Sequence, residues 1–203
     1  FAVLGMGKLG SRELTIGSDL DLVFVFDAPA DAKSDGAKPL APGTYYARLS
    51  QRVISALAAP TAEGRLFEID MRLRPSGNAG PVACSLASFG GYQRRTAQIW
   101  EHQALSRARP VAGEPSLCRE LETIITEVLT AERDRDALAR EVAAMRARIF
   151  REHGKRAPFE LKHHPGGVVT MEFLAQYLVL AHAAAHPSLL HRTTEEVFVE
   201  AGR

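Results

Sequence analysis

The sequence predicts an α+β fold, with a sheet-containing part over residues 1–110 and an all-helical part over residues 111–203. Two short apolar runs, residues 1–4 and Leu20–Phe26, indicate strands, because each ends at glycine or polar residues. After residue 85, apolar residues recur at helical spacing instead. The chain has 203 residues, of which 46% are hydrophobic, so it can bury one large core or two small ones.

The sheet-containing part begins with a strand over residues 1–4 that runs into the glycine-rich turn GMGKLG. The run Leu20–Phe26 is almost continuously apolar, which is typical of a central strand that is covered on both faces. Residues 27–43 contain three prolines and two glycines, and they predict a long surface loop. Helical spacing then predicts a helix that ends before Pro60, and residues 65–73 predict a third strand.

The second part shows several helical patterns. Asp134 is a candidate N-cap of a long helix, because an apolar stripe at helical spacing follows it. The segment PFELKHHPGG, residues 158–167, predicts a short extended piece and a turn. The other predicted helices cover residues 86–96, 100–109, 117–130 and 168–185, the last of them buried.

Composition excludes several classes of protein. Lys and Arg total 25 against 24 acidic residues, and we find no basic stretch with interleaved aromatic residues, so we expect no nucleic-acid partner. The longest apolar runs are shorter than a membrane span, and we expect no membrane association. Cys84 and Cys118 are too few for a disulfide framework, which favours a reduced, cytoplasmic setting. Because the chain opens directly on an apolar run without Met, we expect a fragment of a larger protein.

Two aspartates stand at the start of the apolar strand, in the stretch TIGSDLDLVFVF. Side chains at positions i and i+2 of a strand point to the same face, so Asp19 and Asp21 converge while the apolar side chains pack on the other face. Two like charges in a partly dry site are destabilising unless one is protonated or a cation lies between them, and a divalent metal ion resolves the conflict. Hard oxygen ligands suit Mg²⁺, which usually completes its shell with water and phosphate.

Asp70 is a third acid at the polar end of a strand, in LFEIDMRLRP. If its strand neighbours the first, three carboxylates can hold two metal ions about 4 Å apart, as in phosphoryl transfer. The alternative is that Asp19 caps a turn, Asp21 is an edge charge and Asp70 pairs with Arg72. The residues alone leave both open, although the third acid favours the metal.

Gly17 and Ser18 precede the acids and offer what a phosphate needs: exposed amides, close approach of the backbone and a hydroxyl. A second glycine motif, formed by Gly5, Gly7 and Gly10, matches the dinucleotide fingerprint G-x-G-x-x-G. We disfavour that alternative, because no acid ends a second strand about twenty residues on in a βαβ context.

The order Gly-Ser-Asp-Leu-Asp, followed 49 positions after Asp21 by Asp70, resembles the nucleotidyltransferase superfamily related to DNA polymerase β. Within it, six segments closely resemble the family of bacterial glutamine synthetase adenylyltransferases, and they cover almost all of the chain in the same order. The segments are GMGKLGSREL, GSDLDLVFVFDAPAD, FEIDMRLRPSGNAG, WEHQALSRARPVAG, EVAAMRARI and GGVVTMEFLAQYLVL.

This resemblance implies a polymerase β-like mixed sheet with helices, followed by a helical domain. The family enzyme has two related halves, of which one removes AMP from glutamine synthetase by phosphorolysis and the other attaches AMP from ATP to a tyrosine, releasing pyrophosphate. The segments FDAPAD, RPSGNAG, WEHQAL and QYLVL favour the attaching half. The removing half and a non-catalytic regulatory module stay as alternatives.

By the same resemblance, Asp19, Asp21 and Asp70 are the catalytic, metal-binding carboxylates, holding Mg²⁺ as two ions, and Gly17 and Ser18 form the phosphate-contacting turn. The resemblance also implies ATP as substrate, glutamine synthetase as protein substrate and a role in nitrogen metabolism. A PII-type signal protein is implied as a regulator that acts through the full-length enzyme.

Three cations, Lys8, Arg72 and Arg74, are candidate partners of the triphosphate, since arginine offers a bidentate fork. Ordinary surface pairing, for instance of Arg72 with Glu68, is the alternative.

One position departs from the family pattern. Where the family usually has Gly-Gly-x-x-Asp-x-Glu-Phe, this chain has Thr170 in place of the acid, and Glu172 is retained as a further candidate site residue. If the acid binds metal or nucleotide in the family, this copy is weakened or specialised.

Overall fold

The computed structural model describes residues 1–152 and 160–203. Within them the chain has the predicted α+β fold class, with a mixed five-stranded sheet and helices at the carboxy-terminal end. In chain order the elements are β1 (Ala2–Gly5), α1 (Gly7–Gly10), β2 (Leu20–Phe26), α2 (Pro42–Leu57), β3 (Ile69–Asp70), β4 (Ala83–Ser85), α3 (Leu86–Arg95), α4 (Ile99–Leu105), β5 (Arg109–Gly113), α5 (Pro115–Leu129), α6 (Arg135–Glu152), α7 (Val168–His182) and α8 (Thr194–Ala201).

Strand β2 is central in the sheet, as its apolar sequence predicts. It pairs antiparallel with β1 along one edge. On its other edge it pairs in parallel with β3 at its start and with β4 at its end. β1 in turn pairs antiparallel with β5, so the strand order is β3-β2-β1-β5 with β4 beside β2. The amino-terminal end of β2 therefore lies beside β3.

Every second side chain of β2 packs into the same hydrophobic cluster. Leu20, Leu22, Phe24 and Phe26 form one buried cluster. Phe1 and Tyr46 stack in the same region, with ring centroids 5.6 Å apart. Large aromatic and aliphatic side chains removed from water supply the main favourable term for such a core.

By their internal contacts, the described residues form two compact units. The first contains residues 1–97 and 108–124, and the second contains residues 98–107 and 125–203. The second unit is helical and has its own buried cluster, built from α7, α8 and the turn between them. Our division of the chain into domains at residue 110 stays a prediction.

The long helix is confirmed as α6, and its cap is confirmed because the amide of Ala137 donates to Asp134 Oδ1 at 2.8 Å. The turn of PFELKHHPGG is confirmed over residues 161–167, whereas residues 158 and 159 lie outside the described residues. The helix over residues 168–185 exists as α7, but its predicted burial is wrong for one face, where Val168, Met171 and Leu174 are exposed.

The structure corrects three further expectations. The third strand has two residues instead of nine, because an isolated bridge between Thr61 and Gly64 precedes it and a turn begins at Met71. The short strand β4 was not predicted. The helix predicted over residues 100–109 ends at Leu105, and the unpredicted strand β5 follows. A residue before proline disfavours the α conformation, and Arg109 precedes Pro110.

Along the described parts of the chain, each helix is either too short or too polar to cross a lipid bilayer.

Candidate active site

The predicted acids lie where β2 begins. Asp19 directly precedes the strand and is exposed, whereas Asp21 lies within it and is half-buried. The neighbouring Leu20 and Leu22 belong to the buried cluster on the opposite face. At the start of β2 the alternation of the strand thus places Asp21 on the face opposite to Leu20 and Leu22, as the sequence predicts, whereas Val23 and Val25 further along are buried as well.

Asp70 lies directly beside Asp21. The parallel register of β2 and β3 pairs Leu20 with Ile69 and Asp21 with Asp70. Neighbouring strands lie about 4.8 Å apart and paired residues share a face, so the two aspartates project from the same side of the sheet. Ile69 packs against the buried cluster on the other side. The expectation that the two aspartate-bearing strands are neighbours is confirmed.

In this arrangement Arg72 covers the carboxylate of Asp70. Its Nε donates to both carboxylate oxygens, at 3.1 and 2.8 Å, its Nη2 donates to Oδ2, and its own amide donates to Oδ1 at 2.8 Å. These hydrogen bonds, partly opposed by burial, hold the pKa of the Asp70 carboxyl below its usual value. The pairing of Asp70 with Arg72, left open by the sequence, is therefore present, and the pairing of Arg72 with Glu68 is not among the ion pairs of the described residues.

Gly7, in the turn after β1, lies against the carboxylate of Asp21 and restricts its position. Its φ of +50° lies in the left-handed region, and a Cβ built on it would stand 2.4 Å from Asp21 Oδ2. The amide of Met6 donates to the Asp21 carbonyl at 2.9 Å, which fixes the turn after β1 onto β2. Only glycine fits such a close approach with this backbone. Sequence reasoning missed this role, although the G-x-G motif after a strand was its signal.

The same turn also decides against the dinucleotide-binding fingerprint. That fingerprint needs two parallel strands joined through a helix, whereas β1 and β2 are antiparallel. Of the glycines of GMGKLG, Gly7 thus supports the carboxylate site.

The predicted phosphate turn is a compact structure in front of Asp19. Gly17 has a φ of +78°, and the amide of Thr15 donates to Ser18 Oγ at 3.0 Å while the amide of Ser18 donates to the Thr15 carbonyl at 2.9 Å. Lys8 Nζ donates to Thr15 Oγ1 at 3.5 Å, so this cation lies beside the turn.

Arg74 points elsewhere. Its Nη1 donates to the Met71 carbonyl at 2.7 Å and its Nε donates to the Gly80 carbonyl at 3.3 Å, so it closes its own loop. Of the three predicted triphosphate partners, the structure therefore brings Arg72 to the aspartates and Lys8 to the turn.

Thr170 and Glu172 have partners within the helical unit. Arg146 donates to Thr170 Oγ1 through Nη2 at 2.7 Å and through Nε at 3.2 Å. Glu172 pairs with Arg107 at 2.8 Å, and these two side chains are 20% and 10% exposed, so the pair is largely shielded from water. Both contacts connect helical segments of the same unit.

The residues of this site fit the implied Mg²⁺ in part. Carboxylate oxygens are the right donors, and the register of Asp21 and Asp70 places two of them on one face with Asp19 two residues earlier. Within residues 1–152 and 160–203, however, three or more such side chains do not surround a common point. The chemistry and the backbone fit the ion, while Arg72 takes the oxygens of Asp70.

A mixed sheet that brings two strand carboxylates together beside glycine turns, with helices at the carboxy-terminal end, is the α+β class expected of nucleotidyltransferases. The comparison with known families is more specific. The family model described as glutamate-ammonia ligase adenylyltransferase matches residues 1–124, and the chain belongs to this family.

Curated relatives agree with this assignment. The chain is 51% identical over 204 residues to the bifunctional glutamine synthetase adenylyltransferase/adenylyl-removing enzyme of Xanthobacter autotrophicus, covering 100% of this chain and 21% of the relative. A protein of the same name from Brucella suis is 54% identical over 181 residues, covering 89% and 18%. Another from Bradyrhizobium sp. ORS 278 is 47% identical over 203 residues, covering 100% and 21%. The chain thus spans about one fifth of the length of these relatives.

Proposed function

We propose that this chain carries the adenylyl-attaching site of a glutamine synthetase adenylyltransferase, which moves AMP from ATP to a tyrosine hydroxyl of glutamine synthetase and releases pyrophosphate. The observation that carries the proposal is the parallel register that pairs Asp21 with Asp70 at the start of β2. The names of the relatives support the reaction and the protein substrate.

Asp19, Asp21 and Asp70 are the residues that would hold Mg²⁺. When bound there, the ion would neutralise phosphate charge and favour ionisation of the acceptor hydroxyl.

The remaining groups bind and orient. The turn from Thr15 to Ser18 places the Ser18 hydroxyl next to Asp19, although the amides of Thr15 and Ser18 donate within the turn, and Lys8 adds a positive charge beside it. Arg72 can present its planar fork to a phosphate oxygen once it leaves Asp70, and Arg74 would have to leave its own loop to do so.

Asp70 is also a candidate acceptor for the proton of the tyrosine hydroxyl. While Arg72 is bound, its carboxylate is a poor base, because the hydrogen bonds lower its pKa. Release of Arg72 would make both oxygens available and raise the basicity of the carboxylate.

Attachment rather than removal of AMP is supported by the segments FDAPAD, RPSGNAG, WEHQAL and QYLVL, which resemble the attaching half. On the same resemblance we propose a cytoplasmic setting, a role in nitrogen metabolism and regulation by a PII-type signal protein through the complete protein.

The test is transfer of label from α-labelled ATP to glutamine synthetase by the complete gene product with Mg²⁺. We expect transfer by the natural protein, and its loss with Asp19→Asn or Asp70→Asn. Asp27→Asn is the matched control, because Asp27 directly follows the other end of β2 and is exposed. Full transfer by the Asp70→Asn protein would contradict the site. Release of ADP from adenylylated glutamine synthetase with phosphate, without transfer from ATP, would assign the removing reaction instead.

A further inference from the structure

Among the described residues, Arg72 is a cation of the protein itself that contacts one of the carboxylates. Arg72 contacts both oxygens of Asp70 through Nε, and through Nη2 at 2.5 Å. The charges of Asp21 and Asp19 also act on the same guanidinium, raising its pKa together with the hydrogen bonds to Asp70. All three candidate metal ligands are therefore within electrostatic reach of one arginine.

The two partners differ in exposure. The side chain of Arg72 is 76% exposed, whereas that of Asp70 is 15% exposed. The guanidinium can therefore leave into solvent without repacking the core, while the carboxylate stays on its strand. Because one partner lies in water, this ion pair is exchanged for another cation more readily than a pair that is buried at both ends.

The oxygens that Arg72 occupies are those that a metal would need. Asp70 is the paired neighbour of Asp21 in the sheet, yet the described carboxylates do not close around one point. Lys8 and Arg74, by contrast, have a hydroxyl and two carbonyls as their hydrogen-bond partners. Of these three cations, Arg72 is therefore the one that would compete with a metal for the oxygens of Asp70.

We propose that Arg72 is the internal counter-ion of Asp70, and that a divalent cation binds by displacing this guanidinium from the carboxylate. This inference rests on the proposed function, since it assumes that Asp19, Asp21 and Asp70 are the metal ligands. Metal binding and release of Arg72 are then one event. A phosphate group that binds together with the metal can then pair with Arg72, because Arg72 no longer contacts Asp70.

The experiment measures the affinity for Mn²⁺, used as a paramagnetic substitute for Mg²⁺, by electron paramagnetic resonance without nucleotide. Arg72→Gln should bind Mn²⁺ about two- to fivefold more tightly than the natural protein, the range expected when an exposed competing pair is removed. Arg74→Gln is the matched control, because it removes an equal charge two residues away without vacating an oxygen of Asp70. Arg72→Lys should fall between the natural protein and Arg72→Gln, since a point charge cannot form the fork.

A second measurement follows Arg72 in the natural protein. Its Nε–H resonance in a nitrogen-15 spectrum should shift when Mg²⁺ is added, and the shift should be absent in Asp70→Asn.

The outcomes separate the two proposals. If Mn²⁺ binds, and Asp19→Asn and Asp70→Asn weaken it, but Arg72→Gln binds no more tightly than Arg74→Gln, the role of Arg72 is wrong and the metal site stands. If neither aspartate variant changes Mn²⁺ binding, the metal site itself is wrong, and the role of Arg72 is wrong with it.

Discussion

Replacing Gly7 by alanine tests how the carboxylate site is positioned. The backbone at Gly7 has a φ of +50°, where alanine costs about 1–2 kcal/mol of stability. The added Cβ would also stand 2.4 Å from Asp21 Oδ2, closer than such atoms can approach, so the carboxylate must move. Insertion of a methyl group into a filled space typically costs about 1–3 kcal/mol. We expect Gly7→Ala to lower the free energy of unfolding by about 2–5 kcal/mol, the sum of strain and contact.

Gly17→Ala is the matched control. Its φ of +78° imposes the same kind of strain, but a Cβ there would meet nothing within 4 Å. Urea unfolding should show a loss of about 1–2 kcal/mol for Gly17→Ala, from strain alone. Under the proposed metal site, Mn²⁺ affinity should fall by about tenfold or more in Gly7→Ala, as when a group that positions a ligand is lost. Equal unfolding free energies and equal Mn²⁺ affinities for the two variants would refute the role of Gly7.

Three further predictions concern other parts of the chain. Thr170→Asp should stabilise the protein by about 1 kcal/mol, because the neutral acceptor of the Arg146 hydrogen bonds becomes a carboxylate and the contact becomes an ion pair; thermal unfolding measures this. Thr170→Val should destabilise it, and a stable Val variant would contradict the contact. Glu172→Gln should cost about 1 kcal/mol in urea unfolding and leave Mn²⁺ affinity unchanged, because its partner is an arginine of the helical unit. A loss of Mn²⁺ binding would instead indicate that Glu172 contributes to the metal site. Burial raises the pKa of the Cys84 thiol to about 12, so iodoacetamide at pH 9 should modify the partly exposed Cys118 and spare Cys84 until the chain unfolds. Since the thiol of the unfolded chain ionises near its ordinary pKa, the contribution of Cys84 to stability is complete below about pH 8.5 and declines as pH rises towards 12. Equal modification of both thiols in the folded protein would contradict the burial.

Local sequence patterns were sufficient to predict strand β2 and helix α6. Strand β2 was predicted with its observed bounds, because a run of seven residues that is apolar except for Asp21 follows the polar turn before the strand. Helix α6 was predicted from its cap and its stripe. Placing Asp19 and Asp21 on one face needed only the period of two along a strand.

Pairing between residues far apart in the chain could not be predicted from such local patterns. β3 and β4 are two and three residues long, and each exists only because it finds an edge of β2. Such short runs carry no periodicity of their own. The covering of Asp70 by Arg72 was one of two pairings that the sequence left open, and the approach of Gly7 to Asp21 joins residues from different elements.

The ends of the sheet affect how the chain behaves at high concentration. Strand β5 lies at one end of the strand order and contains Pro110, which has no amide hydrogen, and its register is interrupted opposite Val3 and Leu4. At the other end, β3 and β4 offer two and three residues beside β2. An interrupted or very short edge is a poor template for a strand from a second molecule. The short strand that carries Asp70 therefore also protects this side of the sheet from aggregation by strand addition.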